Sequence, residues 1–130
     1  MIELVLRLSL WISLPLNAGA AYILAFPSSW PGQLLGLPAA PDPVYAYLAA
    51  YLVALLGLAY GWMALQPSIV RPLLWLGALG KGGAFAVAAA LWLAGLARAP
   101  LAAAVTVDLL LAAFWIAWLT GTRGKASADG

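Results

Sequence analysis

Residues 73–119 read LLWLGALGKGGAFAVAAALWLAGLARAPLAAAVTVDLLLAAFWIAWL. The stretch divides at Arg98-Ala99-Pro100 into two apolar runs, Leu73 to Ala97 and Leu101 to Leu119. Each run holds one charged residue, Lys81 in the first and Asp108 in the second. Apolar residues would cover every side of a helix built from either run, so neither has the polar face that a soluble bundle turns to water. At a rise of about 1.5 Å per residue, each run reaches across roughly 30 Å of bilayer hydrocarbon.

The same pattern occurs twice upstream. A run from about Leu4 to Phe26 ends in the proline-rich stretch Pro27 to Pro43, which has no Lys or Arg. A run from Val44 to Leu65 ends in the turn Gln66-Pro67-Ser68-Ile69-Val70-Arg71-Pro72. The expected fold is therefore all-α, an integral membrane four-helix bundle in a single domain over residues 1–130. Its helices are expected at about 4–26, 44–65, 73–97 and 101–119, with 120–130 a small, polar, flexible tail. Leu8 to Leu16 followed by Ala18-Gly19-Ala20 has the form of a signal-peptide core and cleavage site, but the apolar run continues through Tyr22-Ile23-Leu24-Ala25-Phe26, which favours a span.

Composition agrees with this. Hydrophobic residues make up 66% of the chain and charged residues 8%, with a mean hydropathy of +1.02, well outside soluble usage. The net charge of +2 comes from six Lys and Arg scattered along the chain, and without a basic patch nucleic-acid binding is set aside. The chain contains no Cys and no His, which removes thiolate chemistry, iron–sulfur ligation, bis-His haem and the usual zinc sites. No metal and no cofactor are expected.

Basic residues near span ends stay on the cytoplasmic side. Arg7, Arg71, Arg123 and Lys125 share one side, and Arg98 alone lies on the other. Both termini are thus expected in the cytoplasm and the 27–43 loop outside. For a bacterial chain this means a multi-pass protein of the inner (cytoplasmic) membrane. Trp11, Trp30, Trp62, Trp75 and Trp118 fit the interfacial aromatic belt.

Lys81 and Asp108 are the most informative residues. An ionisable side chain at mid-helix costs about 2.5–3.5 kcal/mol on insertion, against a return of about 0.3–0.6 per Leu. The third run carries seven Leu but also five Gly, so it needs a neighbour. Counting along the helices puts Lys81 about 13 Å deep and Asp108 about 18 Å, a gap that a lysine spans. The short link makes the two helices antiparallel neighbours, so a Lys81–Asp108 ion pair is geometrically allowed. Asn17 and Tyr51 also come out at about 18 Å, defining a midplane polar layer. Ser9, Ser13 and Asn17 recur at helical spacing on the first helix, where Pro15 removes one backbone hydrogen bond and is expected to kink it. Tyr47 and Tyr51 stack similarly on the second. The candidate ligand or proton site is Lys81, Asp108, Asn17, Tyr51 and Ser13, with no catalytic set named. Small residues beside these positions, and the stripe Ala50, Ala54, Gly57 and Gly61, mark close helix contact within the bundle.

Four-helix comparisons exclude two classes. Small multidrug resistance transporters depend on a membrane Glu in the first helix, and the only Glu here is the terminal Glu3. Dual-topology fluoride channels carry a Gly-rich first-helix signature that is absent. Through Leu58-Ala59-Tyr60-Gly61, Pro67, Arg71-Pro72-Leu73-Leu74-Trp75-Leu76-Gly77-Ala78-Leu79-Gly80-Lys81 and Asp108-Leu109-Leu110-Leu111-Ala112-Ala113-Phe114, the last three helices resemble the small DoxX-like bacterial membrane proteins. The resemblance implies a four-helix bundle, some relatives of which are membrane subunits of respiratory or thiol-redox assemblies; the lack of Cys weighs against a direct thiol role.

Two functional readings follow. The first is an accessory or anchoring membrane subunit with no redox centre of its own, of the kind found beside a quinone-linked or respiratory assembly. Its partners would be the lipid bilayer and a membrane protein or a second copy of the chain. The second is a small carrier or ligand-binding protein built on a midplane Lys81–Asp108 pair. A membrane enzyme ranks third, since acid–base chemistry would rest on Asp108, Lys81 and tyrosines alone.

Overall fold

Prolines set the starts of the helices. The computed structural model describes residues 1–38 and 42–123, and its helices are α1 (Ile2–Ala25), α2 (Trp30–Leu34), α3 (Pro43–Leu65), α4 (Arg71–Leu93) and α5 (Ala99–Gly121). Pro31, Pro43, Pro72 and Pro100 stand in the first turns of α2 to α5, where a missing N–H costs nothing and the fixed φ suits the helix. Asp42 caps α3, its Oδ1 accepting from Val44 N at 2.9 Å. The four long helices are each long and apolar enough to cross a membrane. No strand occurs among the described residues.

Two helix ends differ from expectation, and α4 and α5 each start two residues earlier, at Arg71 and Ala99, because their prolines fit the first helical turn instead of the link. The third long helix stops at Leu93 rather than Ala97 because Gly95 turns the chain at φ +74°. There Gly95 N donates to Trp92 O and Leu96 N to Leu91 O, a Schellman stop that hydropathy alone does not reveal. At the other end of the chain, Thr120 and Gly121 extend α5 instead of opening a tail; residues 124–130, including Lys125 and most of the expected tail, lie outside the described residues. The proline-rich loop also contains a short helix, α2, that was not anticipated. Gly32 of α2 rests directly on the Pro27 carbonyl, where a Cβ would come within 2.3 Å. α1 runs unbroken through Pro15.

The long helices form two close antiparallel pairs, α1 with α3 and α4 with α5. In the first pair, Gly57 and Gly61 of α3 let the backbones approach: a Cβ on Gly57 would lie 2.8 Å from Asn17 Cβ and 3.4 Å from the Leu14 carbonyl. The glycine spacing is thus consumed inside the chain. Each pair is also fastened at one end by an arginine. Arg7 of α1 donates to the Ala64 and Gln66 carbonyls at 2.8 and 2.7 Å, and Arg71 of α4 donates to the Leu119 carbonyl and to Thr122 Oγ1. Both arginines satisfy carbonyls that the ends of α3 and α5 leave without intrahelical donors.

The two pairs meet in an apolar core at this arginine end, built from Leu6, Leu10, Met63, Leu74, Leu119, Tyr60 and Trp115. Away from it the outward faces are apolar. Leu4, Leu8, Ile12 and Leu16 on α1, and Leu48, Leu52, Leu55 and Leu58 on α3, are all exposed. At the opposite end the α2 loop leans on the α4–α5 link, where the Arg98 side chain packs over Gly36.

Candidate functional site

Lys81 lies in the middle of α4, only 4% exposed. Its Nζ is 2.7 Å from Asp108 Oδ1 on α5 and 3.2 Å from Asn17 Oδ1 on α1. Asn17 in turn donates through Nδ2 to the Val53 carbonyl of α3 at 3.0 Å. One amide therefore accepts from the α4 lysine and donates to α3, and the network Asp108–Lys81–Asn17–Val53 touches all four long helices. Its neutral sum of charges is what a low-dielectric interior requires.

Two aromatic rings complete the setting. Lys81 Nζ stands 5.3 Å from the Tyr60 ring centre and 5.8 Å from that of Trp115, within the range where a ring quadrupole attracts a cation. The rings are tilted against each other with centroids 5.2 Å apart. Gly77 makes room for both: a Cβ there would come within 2.7 Å of Tyr60 and 3.2 Å of Trp115. Tyr60 reaches the Gly77 carbonyl through a long hydrogen bond of 3.5 Å. Trp115 donates from Nε1 to Ser9 Oγ at 2.8 Å, giving the indole N–H the partner that burial demands.

The expected site residues separate into those the fold gathers and those it does not. Lys81, Asp108 and Asn17 come together. Ser13 is buried on the same face of α1, but its hydroxyl donates to the Ser9 carbonyl at 2.8 Å, an internal bond of its own helix. Tyr51 stands apart on the outer surface at 63% exposure, and Tyr47 is exposed as well. On α3 the small stripe, rather than the two tyrosines, faces α1. Tyr60 and Trp115 are the side chains that sequence reasoning passed over. For Tyr60 the signal was present, since it lies three residues after Gly57 on the inward face of α3. Trp115 shares the Asp108 face at seven residues' spacing, a signal that could have found it.

The electrostatic arrangement is closed on one side and open on the other. Among the described residues no buried side-chain nitrogen or oxygen lacks a partner. Asp108 is the half-open member, its side chain 28% exposed, and among the described residues its Oδ2 has no hydrogen-bond partner. No group of three His, Cys, Asp or Glu comes together among the described residues.

In comparisons with known proteins, no family model, no curated protein and no solved structure matches the chain.

Proposed function

We propose that this chain is a multi-pass membrane protein that acts as an accessory or anchoring subunit, a rigid four-span element holding or completing a larger membrane assembly. The observation that carries this reading is the closure of the midplane network. Every buried polar side-chain atom among the described residues is satisfied by another part of the chain, and the strongest groups join helices to one another. A turnover site would need polar groups held in readiness for a substrate; here Lys81 and Asn17 are engaged in tying four helices together. The apolar outward faces support insertion in lipid, since they would be strongly unfavourable against water.

The orientation we propose has the arginine end in the cytoplasm, with both termini there, in a bacterial inner membrane. Its support is the charge asymmetry: Arg7, Arg71 and Arg123 lie toward one end and Arg98 toward the other. The sequence resemblance to DoxX-like proteins makes a quinone-linked or respiratory assembly the natural partner class. Purification from its native membrane in mild detergent is expected to bring down a membrane protein in stoichiometric amount. A monodisperse, partner-free chain would overturn the subunit reading, and reporter fusions at the two termini test the orientation separately.

A second reading is favoured by one observation, the partial exposure of Asp108. As a small carrier or ligand-binding protein, the chain would use the free carboxylate oxygen to take up a proton or a cationic group. Replacing the pair together by Lys81→Met with Asp108→Leu separates the readings: unchanged partner capture supports the anchoring role, while loss of a measured uptake or binding activity with the fold intact supports the carrier.

A further inference from the structure

Far from the midplane network, where α4 ends and α5 begins, the α2 loop and the α4–α5 link border a half-open cavity of about 410 Å³. Its walls include Leu37, Leu91, Leu96 and Leu101, together with Gly36 and Arg98. The volume lies in the range of small-ligand sites, and the lining is leucine and small apolar residues with one cation, Arg98.

That cation is held and, among the described residues, unpaired. Gly36 takes φ +72° and lies flat beneath the arginine stem, where a Cβ would come within 2.4 Å of Arg98 Cδ and 3.0 Å of Cβ and Cγ. Among the described residues the Arg98 guanidinium has no ion-pair or hydrogen-bond partner. The acid of this end, Asp42, spends its Oδ1 on the α3 cap, and Ala39, Ala40 and Pro41 of the same loop carry no charge.

We infer that this cavity binds the headgroup end of an anionic phospholipid, the phosphate on Arg98 and the first part of an acyl chain along the leucines. A guanidinium presents a fork of donors that suits phosphate oxygens. The leucine walls favour a phosphate that carries a hydrocarbon chain over a free one. Among the described residues the cavity lining holds no carboxylate, so the ammonium of a zwitterionic headgroup would find no partner in it. The inference goes beyond the subunit reading. It is tested in micelles, where neither a protein partner nor the orientation in the membrane affects the outcome.

Delipidated protein in detergent is titrated with phosphatidylglycerol and with phosphatidylcholine of the same acyl chains, and adducts are counted by native mass spectrometry. A single phosphatidylglycerol adduct is expected, favoured roughly tenfold over phosphatidylcholine, because both bring a phosphate to Arg98 and only the choline adds an ammonium that stands unpaired beside the guanidinium. Arg98→Gln is expected to erase the preference while leaving thermal unfolding unchanged, and glycerol phosphate without acyl chains is expected not to compete. Equal binding of the two lipids, an unaltered preference in Arg98→Gln, or competition by glycerol phosphate would each overturn the inference. Should Arg98→Gln fail to fold, Arg98→Lys takes its place: it keeps the charge and is expected to keep a reduced preference, and a lysine variant that binds both lipids alike counts against the site.

Discussion

The α1/α3 pair and the α4/α5 pair solve one problem by different means. Both are antiparallel, and both have an arginine near the start of the first helix on the last carbonyls of the second. Between those fastenings they diverge. α1 and α3 are held by close backbone approach at Gly57 and by a neutral amide, Asn17, on the Val53 carbonyl. α4 and α5 are held by a salt bridge. The connections differ in the same sense: a long loop with its own short helix joins the first pair, and a few residues turned at Gly95 join the second. The physical reason is that dispersion between close backbones works only where small residues are spaced to permit it. An ion pair reaches further, but its desolvation must be offset by good geometry and additional partners. Lys81 obtains those partners from the other pair, namely Asn17, Tyr60 and, by way of Trp115, Ser9. The charged pair therefore depends on the packed pair, while the packed pair has its own contacts.

That asymmetry can be broken in a graded way. The largest effect is expected from Lys81→Met alone, which leaves Asp108 unpaired inside the bundle and should cost about 3–5 kcal/mol. Denaturant or thermal unfolding in micelles measures it, and Lys81→Met with Asp108→Leu should recover most of the loss. A double variant as unstable as the single one would mean that the ion pair itself, rather than the stranded charge, carries the stability.

Gly57→Val comes next. It pushes a side chain into Asn17 Cβ and should cost about 1–3 kcal/mol by overpacking, and the separation of α1 from α3 should appear as a longer distance between spin labels on the two helices. An unchanged distance would show that the glycine contact is not what sets their approach.

Asn17→Leu removes the bond to each pair at once. Hydrogen bonds between membrane helices are worth about 0.6 kcal/mol on average and up to about 1.7, so a loss of about 1–2 kcal/mol is expected, smaller than that of Lys81→Met because Asp108 still pairs with the lysine. A loss equal to that of Lys81→Met would make the amide, not the carboxylate, the principal partner of the lysine. The smallest effect belongs to Tyr51→Phe. Its ring faces outward, and a change within about 0.5 kcal/mol is expected; a larger one in unfolding or partner capture would place Tyr51 at a contact surface.

Much of this was legible in the sequence. The ion pair between Lys81 and Asp108 was geometrically allowed by two charges within a lysine's reach on helices joined by a short link, and the structure forms it. Asn17 followed from the same depth count. The small stripe on α3 announced which face would be buried. Depth along a helix is a one-dimensional quantity that counting residues supplies. Rotation about the axis is harder to read when apolar residues surround the helix, and there the reading of Tyr51 as an inward group parted from its position in the fold. Tyr60, three residues beyond Gly57, sits on the face that Gly57 and Gly61 define.

By itself, then, the sequence determined four long apolar helices and their order, both of which depend on local composition and on counting. Tertiary structure decided the rest: that Gly95 stops α4 at Leu93, that α1 pairs with α3 and α4 with α5, and that Lys81 is received by Asn17 and by the rings of Tyr60 and Trp115. These features arise from which surfaces fit one another. Shape complementarity belongs to pairs of helices, and a pattern read along one helix does not contain it.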